Sequence, residues 1–359
     1  MDELRTETKN PVLRRANKTL FMIPIAIVVF CCALGVTHAQ TSGVMPINIY
    51  QMDDTYTHHI LLAEKSTHTL YLYQNNQGIP QLIQQFQMVS GKKAGDKTFQ
   101  GDFRTPEGIY FLTEFIPHQS LLERFGKDGE IYGVGAFAMD YPNPIDRRQS
   151  KTGGGIWLHS TNDETRIDKG LDSRGCLVVA NLDLKNLSQY IELNRTVVII
   201  VHDIHLWNSL TWKTERKSLL DTFNNWLESW KNEDFNNYIS SYHSHEFQDS
   251  IRGNFNQFKE YKRAVFQNPG RPEIKARDVS AFVTERYAMI NFTQDYASDK
   301  ITDIGRKTLY LKKDEYYNWK IVNENWSKNG NPSGPEQVAF RPSMRFFKDG
   351  EYSQIKNSN

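Results

Sequence analysis

Two segments, GGGIWLHS at residues 153–160 and SRGCLVV at residues 173–179, carry the most chemically specific residues of this 359-residue chain. The apolar run before His159 is typical of a strand, and Gly175 allows a tight turn before Cys176. A cysteine nucleophile needs a base, an approachable backbone and donors for an oxyanion. If the segments lie side by side, His159 is the base, and the N–H groups of Gly175 and Cys176 can meet a tetrahedral oxygen. The alternative is a strand-end histidine and a buried, inert cysteine.

The N-terminus has the pattern of an export signal. Basic residues precede an uncharged run from Leu20 to Val36, which ends at Thr37-His38-Ala39. This order of basic, apolar and small residues is typical of a secretory signal peptide. An uncleaved membrane anchor is the competing interpretation, because the run approaches the length of about 17–25 residues that spans a bilayer. We therefore expect residues 1–39 to be a signal peptide or a membrane anchor.

Composition and cysteine content narrow the class of protein. The chain has 43 Lys and Arg against 42 Asp and Glu, a formal charge of +1, and 3 cysteines. This balance argues against nucleic acid as a partner, because no basic excess is present to neutralise phosphates. Removal of residues 1–39 would leave Cys176 as the remaining thiol. A lone thiol in an oxidising compartment is either inert and buried or reactive.

The chain after the signal divides into two predicted domains. Residues 56–205 are expected to be mostly β, with a hairpin formed by residues 59–62 and 69–73. The segment 114–152 is long and rich in Gly, Pro and Tyr, which is typical of a functional loop or lid.

Residues 217–326 are predicted to form the second domain. Its first helix places apolar residues on one face through steps of three and four, namely Leu219, Leu220, Phe223, Trp226, Leu227 and Trp230. Shorter helices and four strands follow, and this order describes an α+β cone. Residues 206–216 are expected to be a connector, and residues 327–359 a loosely held tail.

The residues around Cys176 resemble the L,D-transpeptidase (YkuD-type) catalytic domain of peptidoglycan enzymes. The family signature is a histidine followed by Ser/Thr-His-Gly-Cys, matched here by His159 and residues 173–176, with Arg174 where histidine is common. The segment GDFRTPEGIY at residues 101–110 resembles another turn of the family. The resemblance covers about residues 56–203 and implies a mostly β catalytic domain. The second domain resembles the nuclear-transport-factor-like and ketosteroid-isomerase-like cone, a cystatin-like fold.

The resemblance implies a reaction and roles for individual residues. Cys176 attacks the carbonyl of a diaminopimelate–D-alanine bond in a stem peptide, D-alanine leaves and an acyl-enzyme remains. His159 activates the thiol, and the backbone carbonyl of Ser160 orients the imidazole. Gly175 and Cys176 form the oxyanion hole. The other substrate-binding or orienting candidates are Arg174, Ser173 and Arg104. No cofactor and no metal is implied.

Several functional alternatives stay open. An amine acceptor gives a cross-link, whereas water gives an L,D-carboxypeptidase that trims tetrapeptides, as in the two-domain enzymes that set curved or helical cell shape. A non-catalytic peptidoglycan-binding protein is a further alternative. A zinc hydrolase is disfavoured because the pairs His202/His205 and His243/His245 lack a convincing third ligand. We expect a periplasmic protein that acts on peptidoglycan stem peptides, with an inner-membrane tether through the N-terminus as an option. The acyl acceptor, the ligand of the cone and the oligomeric state are left open by the sequence.

Overall fold

The structure is a computed structural model that describes residues 43–267, 270, 272–299, 301–328 and 340–347. The predicted signal peptide or anchor at residues 1–39 lies outside this part of the chain. Among the described residues, no helix is both long enough and apolar enough to cross a lipid bilayer.

An eight-stranded sheet organises the first domain within the described residues, in the order β11-β9-β8-β7-β12-β3-β4-β5. Two short strands, β1 (Val44–Pro46) and β2 (Ile49–Gln51), precede it. The strands of the domain are β3 (His59–Glu64), β4 (Thr69–Asn76), β5 (Ile79–Gln87), β6 (Ser90–Gly91), β7 (Gly108–Pro117), β8 (Gly135–Met139), β9 (Trp157–His159), β10 (Leu171–Ser173), β11 (Leu177–Val178) and β12 (Val197–Val201). The helices are α1 (His118–Phe125), α2 (Pro144–Arg148) and α3 (Asn181–Ser188), with 3₁₀ turns at Gly126–Tyr132 and Glu164–Lys169.

The predicted hairpin is present as the antiparallel pair β3 and β4. Strand β12, with the sequence VVIIV, lies between β3 and β7 and is buried along its whole length. Val198 and Ile200 face the core of the catalytic domain, whereas Val197 and Ile199 face the opposite side. A strand that is covered on both faces has a continuous apolar sequence, which explains the run.

The segment 114–152 is not the irregular loop that its composition predicts. Strand β7 continues to Pro117, helix α1 follows, and β8 runs through the middle of the sheet. Strand β8 has only five residues, so its apolar alternation was too short to stand out from the surrounding glycines.

The second domain is a cone in which helices cover one face of a curved antiparallel sheet. Its elements are β13 (Leu206–Asn208), α4 (Ser209–Lys231), α5 (Phe235–Ser240), β14 (Gln248–Asp249), β15 (Gly253–Asn254), α6 (Phe255–Phe266), β16 (Glu273–Val283), β17 (Ala288–Ala297), β18 (Thr302–Lys313) and β19 (Trp319–Ser327). The sheet of the described residues has the order β19-β18-β17-β16-β2. As predicted, α4 has an apolar face that is buried in the core of the cone, through Leu219, Phe223, Trp226 and Leu227.

The predicted connector 206–216 is largely helical. Helix α4 begins at Ser209, because the side chain of Asn208 accepts a hydrogen bond from the N–H of Thr211 and caps the first turn. Trp212 is buried, and its Nε1 donates to the backbone oxygen of Ile49 at 3.0 Å. The connector is thus part of the cone.

The two domains share an apolar interface and form one compact unit. The outer face of the cone sheet packs against the catalytic sheet through a buried cluster that includes Ile49, Ile109, Ile199, Phe282 and Tyr310. Strand β2 precedes the catalytic domain in the chain, yet it pairs with β16 of the cone. The chain therefore crosses between the domains twice.

The predicted tail also departs from expectation where the structure describes it. Phe347 is only 7% exposed and belongs to the core of the catalytic domain, where its ring lies 5.2 Å from that of Phe115. Phe340 stacks on His58, and Arg345 forms an ion pair with Glu192. Residues 340–347 are therefore held by apolar and ionic contacts rather than loosely.

Candidate active site

Cys176 and His159 are brought together by two neighbouring parallel strands. Strand β11 pairs with β9 in a register that sets Val178 opposite His159. Cys176 directly precedes β11, two residues before Val178. Both side chains line one cleft of about 830 Å³. The sequence segments that were expected to meet are therefore brought together.

His159 is held in one orientation. Its Nδ1 lies 2.5 Å from the backbone oxygen of Ser160, which can only accept, so Nδ1 carries the proton and Nε2 is unprotonated in the neutral ring. The ring of Tyr132 packs edge-on against the imidazole at 4.9 Å. Burial lowers the pKa of His159 to about 4, although the hydrogen bond to Ser160 acts in the opposite direction. The imidazole is consequently neutral at physiological pH.

Cys176 is partly exposed and forms no disulfide. The Sγ lies 3.5 Å from the backbone oxygen of Gly155. Burial raises the pKa of Cys176 to about 11, while the backbone N–H of Trp157 and the charge of Lys97 act to lower it. The resting thiol is thus neutral, and a base is needed to make the thiolate.

The turn before the nucleophile is fixed by Ser173. The Oγ of Ser173 accepts the N–H of Gly175 at 3.0 Å and donates to the carbonyl oxygen of Cys176 at 2.6 Å. The predicted role of the Gly175 N–H in an oxyanion hole stays a prediction, and in this structure that N–H donates to the side chain of Ser173. Gly175 has a φ of +131°, and a Cβ there would lie 2.8 Å from the backbone oxygen of Arg104. Both features require glycine.

Charged residues surround the cleft. Arg174 is exposed at its wall and forms no ion pair within the described part of the chain. Arg166 lies deeper and donates to Asp172 at 2.7 Å. Arg104 is not among the residues that line the cleft, and its backbone oxygen lies against Gly175, so substrate binding by its guanidinium stays a prediction.

Sequence reasoning did not identify Tyr132, Trp157 and Lys97 as neighbours of the catalytic pair. No short motif marks Tyr132, because it reaches His159 from a 3₁₀ turn 27 residues earlier in the chain. Lys97 is brought near by the loop GDFRTPEG, where its Nζ donates to Asp102 at 2.8 Å. Burial raises the pKa of Asp102, but the bonds from Lys97 and from three backbone amides outweigh this effect and hold it at about 2.

Metal ligation has no support in the described residues. Within the ranges that the structure covers, no group of three or more His, Cys, Asp or Glu side chains could hold a metal ion. The histidine pairs 202/205 and 243/245 therefore have no third ligand in this part of the chain.

Comparison with protein families matches both domains. Residues 58–200 match the model of the L,D-transpeptidase catalytic domain (YkuD), and residues 218–325 match that of the Cds6 C-terminal NTF2-like domain. Residues 58–200 are therefore an L,D-transpeptidase-type (YkuD) catalytic domain, followed by a C-terminal NTF2-like domain. The predicted order of a mostly β catalytic domain and a cone is confirmed.

Solved structures share the two-domain arrangement. Bd1075 of Bdellovibrio bacteriovorus is 28% identical with a TM-score of 0.68, and the match covers 79% of this chain and 98% of that one. The helical cell shape determining protein Pgp2 of Campylobacter jejuni is 27% identical with a TM-score of 0.62, over 78% of this chain and 95% of that one. Comparison with curated protein sequences gives no match.

Proposed function

We propose that the protein is a periplasmic cysteine enzyme that attacks the diaminopimelate–D-alanine bond of peptidoglycan stem peptides. The observation that carries this proposal is that Cys176, directly before β11, and an oriented, neutral His159 at the end of the paired strand β9 line one cleft. The matched catalytic-domain family supports peptidoglycan as the substrate.

The reaction begins with a proton transfer. Because both groups are neutral at rest, Nε2 of His159 takes the thiol proton as Sγ of Cys176 attacks the substrate carbonyl carbon. The tetrahedral intermediate collapses, the C–N bond to D-alanine breaks, and His159 returns its proton to the departing amine. A thioester on Cys176 remains.

Two backbone groups and one side chain support these steps. The carbonyl of Ser160 stabilises the imidazolium that forms, because Nδ1 already donates to it. We assign the N–H of Cys176 to the oxyanion, since Ser173 occupies the N–H of Gly175. We assign to Arg174, which is exposed at the wall of the cleft, the binding of a substrate carboxylate through two parallel hydrogen bonds.

The thioester has two fates. Attack by an amine of a second stem peptide gives a cross-link, which is the transpeptidase activity of the family. Attack by water, with His159 as the base, gives a tripeptide and makes the enzyme an L,D-carboxypeptidase. The likeness over both domains to Pgp2, a helical cell shape determining protein, supports a role in cell shape, and the resemblance to two-domain cell-shape carboxypeptidases favours this second candidate. A membrane tether through residues 1–39 is compatible with either fate.

One experiment tests the proposal. The purified protein is incubated with a disaccharide tetrapeptide, and the products are analysed by mass spectrometry, with Cys176→Ala as the control. A tripeptide alone indicates hydrolysis, and a cross-linked dimer indicates transfer. If neither product forms while the protein still binds the tetrapeptide, the non-catalytic peptidoglycan-binding alternative replaces both enzymatic candidates.

A further inference from the structure

The turn between β16 and β17 connects the cone to the catalytic domain through polar contacts. The guanidinium of Arg286 donates to the carboxylate of Asp96 and to the backbone oxygen of Glu107. Next to it, the hydroxyl of Tyr287 accepts the N–H of Ile109 at 2.7 Å. A cone residue therefore holds two points of one catalytic-domain segment, residues 95–107, which we term the wall loop.

Contacts within the catalytic domain make the wall loop a closed unit. The Oδ1 of Asp96 accepts the N–H of Glu107 at 2.8 Å, which joins the two ends of the loop. Lys151 donates to the other carboxylate oxygen of Asp96 at 2.7 Å. Lys65 is buried and donates to the backbone oxygen of Thr105 at 2.9 Å. Arg286 thus binds the point where the loop closes.

The opposite side of the wall loop lies against the nucleophile turn. The backbone oxygen of Arg104 is so close to Gly175 that a Cβ there would lie 2.8 Å from it. The hydroxyl of Thr105 accepts the N–H of Gly91, and strand β6, which ends at Gly91, pairs with β10, which ends at Ser173. Asp96 is followed directly by Lys97, whose charge acts on the thiol of Cys176.

We propose that Arg286 is a positioning residue for the reaction at Cys176, acting through Asp96 and Glu107 to fix the wall loop against the Gly175–Cys176 turn. The catalytic consequence rests on the proposed function, whereas the effect on the thiol does not. The cone is then part of the scaffold of the active site, in addition to any part in binding the cell wall.

The structure provides variants that separate positioning from stability. Arg286 is about one-third exposed at its side chain, and Asp96 keeps Lys151 as a partner when Arg286 is replaced. Arg286→Gln therefore leaves no buried carboxylate unpaired. Arg148 is a matched control, because it donates across the same domain interface to the backbone oxygen of Val322 at 2.9 Å and does not contact the wall loop.

The test measures Cys176 alkylation by iodoacetamide against pH, together with Tm, for the full chain and its Arg286→Gln, Arg286→Lys and Arg148→Gln variants. We expect Arg286→Gln to slow alkylation at neutral pH by about 10-fold, because a displaced wall loop moves the charge of Lys97 away from the thiol and lowers the thiolate fraction. Arg286→Lys should recover part of the rate, and Arg148→Gln should match the wild type. Equal alkylation profiles for Arg286→Gln and Arg148→Gln would overturn the proposal.

Two further measurements distinguish an effect on positioning from a loss of stability. If Arg286→Gln lowers Tm more than Arg148→Gln does, the alkylation profile of Asp96→Asn is compared with that of Arg148→Gln instead. Asp96→Asn weakens the contact between residues 96 and 286 while retaining Arg286. With the tetrapeptide, Arg286→Gln should lower kcat and leave KM close to that of the wild type. An inactive wild type would contradict the proposed function alone, because the alkylation comparison needs no substrate.

Discussion

Ser173 controls the amide of Gly175: its side-chain oxygen accepts that N–H at 3.0 Å, within the turn that carries the nucleophile. The same hydroxyl donates to the carbonyl of Cys176, so one buried side chain fixes both ends of the Gly175–Cys176 segment. The geometry of the proposed oxyanion site therefore depends on a residue that need not contact the substrate.

Replacing Ser173 should reduce turnover. Ser173→Ala removes both hydrogen bonds and leaves the turn free to move, so we expect kcat to fall by about 10-fold and the free energy of unfolding to fall by about 1–3 kcal/mol. Steady-state kinetics and urea denaturation measure these effects. Ser188→Ala, which removes another buried hydroxyl that does not line the cleft, is the control and should leave kcat unchanged. Wild-type kcat in Ser173→Ala would contradict the assigned role.

Loss of either catalytic side chain should abolish turnover without unfolding the protein. We expect Cys176→Ala and His159→Ala each to lower the rate of tripeptide or dimer formation by about 10³-fold or more, because they act as one unit. The double variant should be little worse than either single variant. Mass spectrometry of tetrapeptide reactions gives the rates, and circular dichroism verifies the fold. A folded Cys176→Ala protein with wild-type turnover would contradict the mechanism.

Activity should persist to unusually acidic pH. Since burial holds the pKa of His159 at about 4, below its ordinary value of 6.5, the imidazole remains a base until the pH approaches 4. The acid limb of kcat/KM should therefore lie near 4. An acid limb at 6–7 would contradict the assignment.

The same pKa has a consequence for stability. A histidine whose pKa is lowered by folding destabilises the folded state as the pH falls from 6.5 toward 4, because the unfolded chain binds the proton first. Urea denaturation at several pH values should show this loss in the wild type. The loss of stability should be smaller in His159→Ala, which lacks the titrating group. Equal losses of stability in the two proteins would argue against a lowered pKa of His159.

Arg174 should affect substrate binding more than thiol reactivity. If its guanidinium binds a stem-peptide carboxylate, Arg174→Lys loses the two-pronged geometry, and KM for the tetrapeptide should rise by about 10-fold. Alkylation of Cys176 by neutral iodoacetamide should hardly change. Slower alkylation in Arg174→Ala, with recovery in Arg174→Lys, would indicate an effect of charge on the thiol instead. An unchanged KM in both variants would reject carboxylate binding.

The C-terminal segment should stabilise the catalytic domain. Phe347→Ala leaves a cavity in the core beside Phe115, so the free energy of unfolding should fall by about 3–5 kcal/mol. Phe99→Ala serves as the control, because the side chain of Phe99 is 58% exposed. Chemical denaturation compares the two variants, and equal stability would show that residues 340–347 contribute little.

Local patterns predicted much of this molecule. The hairpin of β3 and β4 and the apolar face of α4 follow from periodicity within a few residues. That His159 and Cys176 line one cleft could be anticipated, because chemistry restricts which residue types can activate a thiol. In each case the information lies in residue types close together in the sequence.

Long-range contacts were not predictable in this way. Strand β2 has three residues, and its partner β16 lies more than 200 residues later, so no periodicity marks the pair. Arg286 and Asp96 are 190 residues apart and resemble ordinary surface charges in the sequence. Trp212 was assigned to a connector because its burial depends on Ile49, which only the folded chain brings near.

The path of β2 limits how this protein can be divided or recombined. Because residues before the catalytic domain complete the sheet of the cone, a chimera joined between β12 and α4 would separate that sheet from its last strand. It would also expose Phe282 and Tyr310, which the catalytic domain covers. A cone exchanged between relatives would therefore have to include residues 43–52, so that segments on both sides of the catalytic domain are replaced together. Because of this topology, we expect the two domains to be inherited as a pair.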